Sequence, residues 1–284
     1  MRKRSLLVVN PGATTTTPRT RDVLIAALSR DLDVEVVTTQ GRGHATEVAH
    51  KAAADEVDVV IALGGDGTIN EVVNGLLADA RVERPADFVP MLGVVPGGSA
   101  NVLARTLGLP RDPVEATGAL IAAIRDGASR TIGLGRVGDR WFTFSAGMGV
   151  DAEVVKAVEA RRVAGARSTP SLWLRAAARG VLFGTDRREP AMIVQELAGD
   201  EALTGVFLVI VSNTAPWTYL GRRAVNPNPA SSFNRFTRNA SPRRSRRSSL
   251  EPDFRSGTAR GSRTTGEATA PRRQSGHPRR SAAD

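Results

Sequence analysis

The chain has 284 residues with 39 Lys and Arg, 29 Asp and Glu and no cysteine, so disulfides, thiolate metal sites and cysteine nucleophiles are excluded, while the length suffices for two ordinary domains. The formal charge of +10 is unevenly placed: residues 230–284 hold 13 of the basic and 4 of the acidic residues, leaving 26 against 25 in residues 1–229. The body therefore lacks the basic face of a nucleic-acid-binding domain, and no specific nucleic-acid partner is expected. No run approaches the ~18–20 apolar residues of a membrane span, and Leu6-Leu7-Val8-Val9 after Met1-Arg2-Lys3-Arg4 is too short for a signal-peptide core, so a soluble cytoplasmic protein is expected.

Taken in order, Leu6 to Val9 reads as a first strand ending at Asn10-Pro11-Gly12, and Pro18 to Leu28 as an amphipathic helix with Val23, Leu24, Ala27 and Leu28 apolar. Val34 to Val37 is a second strand, leading into Thr38-Thr39-Gln40-Gly41, and Ala45 to Ala54 a second helix. Asp58 to Leu63 is a short β-branched run with the texture of a buried strand, after which Ile69, Val72, Val73, Leu76 and Leu77 fall at helical spacing. Met91 to Val95 is a fourth strand ending in Pro96-Gly97-Gly98-Ser99-Ala100-Asn101, followed by helices over Val102 to Leu107 and Pro113 to Arg125. Regular alternation of strands and helix-length connections predicts a parallel sheet covered on both faces.

Gly64-Gly65-Asp66-Gly67-Thr68-Ile69-Asn70-Glu71 joins the third strand to its helix. Three glycines in four positions let the backbone approach a ligand, and the first amides of a helix have no intrahelical partners, which together make a phosphate site. A carboxylate there, Asp66, repels phosphate unless a cation or proton intervenes, which points to Mg²⁺-nucleotide chemistry. Thr68 reads as the N-cap of the helix with Glu71 completing a capping box, and Asn70 and Asn74 as solvent-exposed. The loops after the four strands hold Asn10, Thr39, Gly64 to Thr68 and Gly97-Gly98-Ser99, and their convergence at the carboxyl edge of the sheet predicts a nucleotide site.

Three other patterns fail on context. Gly133-Leu134-Gly135-Arg136-Val137-Gly138 fits a dinucleotide fingerprint but continues into a strand, not a helix. No glycine-lysine-Ser/Thr step follows any strand, and His44 and His50, six apart, fall on different helix faces and read as surface residues.

From about Thr131 the texture changes. Thr131 to Val137, Trp141 to Ala146, Ala191 to Leu197 and Leu203 to Ser212 read as strands of an antiparallel sheet, with helices over Val150 to Val158 and Ser171 to Phe183. Gly147-Met148-Gly149-Val150-Asp151 is a glycine turn that either ends a strand or reaches the ligand edge, the former being preferred. Residues 230–284 contain no Val, Ile, Met, Trp or Tyr. Such a segment buries too little apolar area to offset its ordering entropy, so a disordered, solvated basic tail is expected.

Val8-Val9-Asn10-Pro11, Gly64 to Gly75, Pro96 to Asn101 and Ala146 to Asp151 together resemble the diacylglycerol kinase catalytic-domain family, whose fold is shared with NAD kinases. The resemblance runs to about Pro229 and implies an α/β domain at 1–130, a β-rich second domain at 131–229 and ATP in the cleft between them. It implies contacts to ATP from Asn10, Thr39, Gly64, Gly65, Asp66, Gly67, Thr68, Glu71, Gly98 and Ser99, with Asp66 near the phosphates and Mg²⁺. The implied activity is transfer of the γ-phosphoryl group to a lipid hydroxyl such as that of diacylglycerol, at a membrane surface touched only peripherally, with a homodimer among the expected partners.

The departures matter as much. Asn101-Val102 stands where many relatives have Asn-Asp, Gly133 stands where they have an acid, and nothing matches the C-terminal acidic stretch that supplies their general base. Loss of the apolar pattern after Pro229, in a body with 23 Arg to 3 Lys, is what a shifted reading frame in a GC-rich gene produces. Translation of the other two frames past codon 229 tests that expectation. On this reading the second domain lacks its closing strands and keeps an unpaired sheet edge. Two alternatives follow: an NAD kinase-like phosphotransferase, and a nucleotide-binding remnant without catalysis.

Overall fold

The structure is a computed structural model, and it describes residues 2–13, 17–80, 88–164, 170–180, 192–195, 202–220, 223–225 and 237–242. All of these lie in the unit Met1–Arg244. The apolar runs near the N-terminus have no polar face to offer solvent, and they become the centre of a parallel sheet. Its strands are β1 (Lys3–Val9), β2 (Leu32–Thr38), β3 (Val59–Gly64) and β4 (Met91–Pro96), in spatial order β2-β1-β3-β4. All six residues of β3 are buried, as a central parallel strand requires.

Helices cover both faces. Leu6, Val8, Val60, Ala62 and Val94 point to one face, under α2 (His44–Ala54), α3 (Asp66–Leu76) and α4 (Val102–Thr106), where they meet Ala45, Ala49, Ala52, Ile69, Val72, Leu76 and Leu103. Leu7, Val9, Val59, Ile61, Leu63 and Val95 point the other way, onto α1 (Pro18–Leu28) and α5 (Pro113–Arg125) through Leu24, Leu28, Leu120, Ile121 and Ile124. The starts of α1 and α5 follow from local chemistry: Thr17 and Asp112 accept amide hydrogen bonds as N-caps, and a proline takes the first helical position of each. Both helices have the bounds that the sequence predicts. Because β1 leads outward to β2 while β3 returns to its other side, the strand order reverses between β1 and β3, the position at whose carboxyl end open α/β sheets bind ligands.

Beyond α5 the sheet is antiparallel, as predicted, but its elements differ in detail. A hairpin joins β5 (Gly135–Val137) to β6 (Arg140–Phe142), and β7 (Ser145–Gly149) is a separate strand. The single strand expected over Trp141 to Ala146 therefore breaks at Thr143 and Phe144. Gly147 and Gly149 lie in the last part of β7, paired with Ile210 and Leu208, and the strand ends at Gly149 directly before the next helix, the outcome preferred from the sequence. Then come α6 (Val150–Val163), α7 (Pro170–Arg179), β8 (Met192–Gln195) and β9 (Ala202–Ser212), to which β7 and β8 both pair. Val150, Val154 and Val158 of α6 and Ala176 of α7 pack against Phe207 and Leu208. A short hairpin of β10 (Thr218–Leu220) and β11 (Arg223–Val225) follows, which periodicity did not reveal at three residues a strand.

Of the tail expected to be disordered, residues 237–242 form β12 (Thr237–Pro242), antiparallel to β9 with a bulge between Ala240 and Pro242. The rest of residues 230–284, with the frameshift reading that concerns it, lies outside the described residues. β9 is thus an interior strand, with β12 on one side and β7 on the other. Strand pairing draws on backbone groups, so a segment poor in apolar side chains can supply it, and Pro242 sits where a bulge excuses its missing donor. Among the described residues no helix is long and apolar enough to cross a membrane.

The packing of α2 on α3 depends on Gly75. A Cβ there would stand 2.8 Å from Ala49 Cβ, closer still to the Thr46 carbonyl oxygen, while Thr46 Oγ1 donates to the Glu71 carbonyl at 3.1 Å. In an open helix Gly→Ala stabilises by roughly 1 kcal/mol; here the overpacking cost of about 1–3 kcal/mol should outweigh it. Gly75→Ala is expected to lower the urea midpoint of the full chain, and a raised midpoint would show that the two helices do not press on this residue.

Candidate nucleotide site

The carboxyl ends of the four parallel strands are tied in a row by backbone bonds that run one step past each strand. The Thr39 amide donates to Val9 O (2.8 Å), Asn10 to Leu63 O (3.0 Å) and Gly97 to Gly64 O (2.8 Å). The loops carrying Thr39, Asn10, Gly64 to Thr68 and Gly97 to Ser99 are therefore neighbours, as predicted, with the β1 and β3 loops flanking the reversal point.

The loop after β3 is a single residue. Gly64 ends the strand, Gly65 is the N-cap with no side chain to contribute, and the first helical bond runs from Ile69 N to Gly65 O at 3.1 Å. Thr68 thus sits in the first turn of α3 and is not its cap, and the expected capping box with Glu71 does not form. The tightness of the turn moves the helix start three residues earlier than the Thr-x-x-Glu pattern suggests. Thr68 does something else: its hydroxyl accepts from Asn10 Nδ2 at 2.7 Å, and Asn10 Oδ1 accepts the Gly12 amide at 2.9 Å, which fixes the β1 loop to α3. A Cβ at Gly64 would lie 2.7 Å from Thr68 Cβ, so that glycine makes room for the Asn10–Thr68 bond.

Gly65 and Gly98 press backbone on backbone. A Cβ on Gly98 would stand 2.7 Å from Gly65 Cα, and one on Gly65 3.3 Å from Gly98 Cα. The second loop is braced by Asn101, a buried residue at φ 48° that caps α4. Its Oδ1 accepts the Gly98 amide at 2.9 Å and its Nδ2 donates to Gly98 O at 2.7 Å. Asn tolerates the left-handed region better than other side chains, and an Asn directly before a helix was the available signal for this role.

Gly67 is different in kind. It is exposed, and no atom lies within 4 Å of where its Cβ would stand. Packing does not require a glycine there, but a ligand lying along the first turn of α3 would. The Gly67 and Thr68 amides precede the first intrahelical bond, so the open space faces a helix N-terminus. One turn further along α3, Asn70 Oδ1 is buried without a hydrogen-bond partner among the described residues. Ser99 is exposed at the rim of the second loop, and Glu71 is partly buried with its backbone carbonyl bound by Thr46.

Asp66 faces α4. Its Oδ1 accepts the Leu103 amide at 3.2 Å. Burial pushes its carboxyl above the ordinary value, against the pull of the backbone amides of Leu103, Val102, Asn101 and its own residue. Arg105, on the same short helix, lies over the Tyr219 ring of β10 at 3.1 Å from the centroid, and burial, with the charge of Arg111, lowers its pKa against the opposing pull of Tyr219 and Asp66. The loops fit a triphosphate, since they offer amides, a hydroxyl and unfilled space. For Mg²⁺ they offer Asp66, and among the described residues there is no group of three or more His, Asp or Glu that could enclose a metal by itself. A cation here would depend on phosphate oxygens for most of its ligands.

A doubly covered parallel sheet with two glycine loops at its switch point defines an open α/β domain, and comparison with known proteins names the family. The model of the diacylglycerol kinase catalytic domain matches residues 4–137, and over this stretch the chain belongs to that family. A diacylglycerol kinase of Bacillus subtilis (strain 168) is 38% identical over 151 residues, 52% of this chain and 46% of the relative. One of Staphylococcus aureus (strain JH9) is 35% identical over 144 residues, 50% of this chain and 42% of the relative. The match spans less than half the length of these curated relatives. The crystal structure of a diacylglycerol kinase from Bacillus anthracis strain Sterne superposes with a TM-score of 0.58 at 23% identity, covering 84% of this chain and 76% of that one, which shows a shared fold.

One further carboxyl stands out. Asp151, at the start of α6, folds its side chain over Gly147, where any Cβ would strike it, and burial raises its pKa. The native state therefore holds this proton to higher pH than the unfolded chain does, so stability falls as pH rises from the ordinary carboxylate value near 3.8 toward the raised one, and stays lower above it. Asp151→Asn is expected to raise the melting temperature at pH 7 and to have no effect near pH 3. An equal rise at both pH values would show that burial of the charge is not the cause.

Proposed function

We propose that the chain is an ATP-dependent lipid kinase that transfers the γ-phosphoryl group to a lipid hydroxyl, with diacylglycerol, the acceptor in its relatives' names, as substrate. The observation that supports this best is the open space at Gly67, which lies in the chain between Gly65, pressed on Gly98, and Thr68, bound to Asn10. It is a cradle for phosphate within a domain of this family. Asp66 is the residue of these loops that would hold Mg²⁺ brought with ATP, and the ion would supply charge neutralisation at the phosphates. The residues of the chain hold and orient: Asn10 and Thr68 fix the β1 loop, Asn101 fixes the second glycine loop, and Asp66 couples that loop to α3. Transfer breaks the bond from the γ-phosphorus to the β–γ bridging oxygen, releases ADP, forms the bond to the lipid oxygen and gives the hydroxyl proton up to solvent, and it draws mainly on such positioning and electrostatic stabilisation. The lipid would be met at a membrane surface, by peripheral contact.

A second reading, nucleotide binding without transfer, is favoured by one observation. The Asp66 carboxyl already accepts an amide from α4, and so is engaged in structure where a metal or a proton acceptor would want it free.

Labelled ATP offered with diacylglycerol, sphingosine and NAD in parallel separates these readings. Label in diacylglycerol is expected; label in NAD would favour a soluble acceptor, and label in none with ATP still bound would favour the second reading. Gly67→Ala tests the cradle itself. With no neighbour to strike, the new methyl should stabilise the chain by roughly 0.5–1 kcal/mol and yet weaken ATP binding at least tenfold by calorimetry. Unchanged affinity would place the nucleotide elsewhere.

A further inference from the structure

Asn74 stands in the third turn of α3, where solvent exposure was expected, and its carboxamide is instead spent on backbone. Its Oδ1 accepts the Trp141 amide at 2.9 Å, and its Nδ2 donates to Trp141 O at 2.9 Å and to Asn70 O at 2.7 Å. To Trp141 the side chain is what a neighbouring strand would be, an acceptor and a donor at one residue. Trp141 is the middle of β6, paired on its other side with Arg136 of β5, whose guanidinium lies 5.3 Å from the indole centroid.

A second carboxamide holds the chain that leaves β6. Asn213, 2% exposed, follows β9. Its Nδ2 donates to Gly133 O at 2.8 Å and Thr143 O at 3.2 Å, and its amide donates to Phe144 O at 2.6 Å. Residues 141–144 are thus gripped by Asn74 of α3 at one end and by Asn213 beside β9 at the other. Apolar packing leaves two surfaces free to slide; paired hydrogen bonds to backbone set a register, and breaking one leaves buried groups unsatisfied.

We propose that Asn74 is a positioning residue. It fastens the helix that carries the phosphate loop to the β6–β7 segment, so that ordering at Gly64 to Thr68 extends to Trp141 to Phe144 and the antiparallel sheet keeps a fixed distance from the phosphate end. The fastening stands on the hydrogen bonds; its response to nucleotide rests on the function proposed above.

Hydrogen exchange of the full chain, read by mass spectrometry with and without MgATP, tests both parts. In the wild type, MgATP should slow exchange at least threefold in peptides covering 64–69 and 141–145 together. Protection at 64–69 alone would overturn the proposal, and this arm needs no variant. Asn74→Asp keeps the shape and the acceptor for the Trp141 amide but turns an oxygen toward Asn70 O and Trp141 O. Without ligand it should speed exchange at 141–145 at least tenfold while peptides of β1 and β3 hold wild-type rates; unchanged exchange at 141–145 would overturn the fastening. With MgATP the variant should keep protection at 64–69 and lose it at 141–145. In the labelled-ATP assay its kcat should fall at least tenfold with the KM for ATP within threefold, and an equal change in both would reduce Asn74 to a merely structural residue. Absence of MgATP protection in both wild-type segments would overturn the nucleotide reading, and the coupled response with it, while the ligand-free comparison still decides the fastening.

Discussion

The arrangement of the site depends on a contact between two stretches of backbone with no side chain between them. Gly65 and Gly98 approach so closely that neither tolerates a Cβ without displacement. This sets the separation of the loops after β3 and β4, and with it where the first turn of α3 stands relative to the start of α4. Each remaining device at the carboxyl edge preserves that approach. Asn101 holds Gly98 by two bonds, Gly64 leaves room for Thr68, and Thr68 in turn holds Asn10. A site built from contacts of this kind is preorganised: its polar groups are already aimed, and a bound phosphate would not have to order them first.

The same closeness explains the electrostatics. Asp66 lies where a helix N-terminus would otherwise offer free amides to the ligand, and its carboxyl takes some of them for itself. Part of the positive potential at this edge is therefore spent internally, in holding α4 to α3, and what remains for a ligand is the first turn of α3 and the second glycine loop. Burial raises the pKa of the carboxyl while the amides oppose that rise. The balance makes Asp66 sensitive to any further charge placed nearby, whether a cation or a phosphate.

Much of this was legible in the sequence because parallel sheets are made from local signals. β-branched runs, helix periodicity and Pro at the first helical position fixed α1 and α5 to the residue, and the glycines marked the loops. What was not legible depended on partners distant in the chain. Thr68 looks like a cap because capping is its commonest local use, yet its hydroxyl serves Asn10, 58 residues away. Asn74 looks exposed because polar helix residues usually are, yet its amide serves Trp141, 67 residues away. Gly147 and Gly149 end β7 as their spacing suggests, but the reason each must be glycine is distant or tertiary: Asp151 folds over one and the Phe207 carbonyl crowds the other. Carboxamides and glycines take their roles from what surrounds them, which periodicity does not encode.

The two halves of the described fold differ in how they are held together. The parallel sheet is sealed on both faces by contiguous apolar clusters. The antiparallel sheet has one small cluster, formed with α6 and α7, and two buried hydroxyls, Thr143 Oγ1 and Ser212 Oγ, without partners among the described residues. β12 adds backbone pairing along β9. Stability in this half therefore leans on hydrogen bonds to backbone, of which those made by Asn74 and Asn213 are the most connected. Because Asn74 belongs to α3, which packs on the parallel sheet, its bonds to Trp141 join the two halves directly.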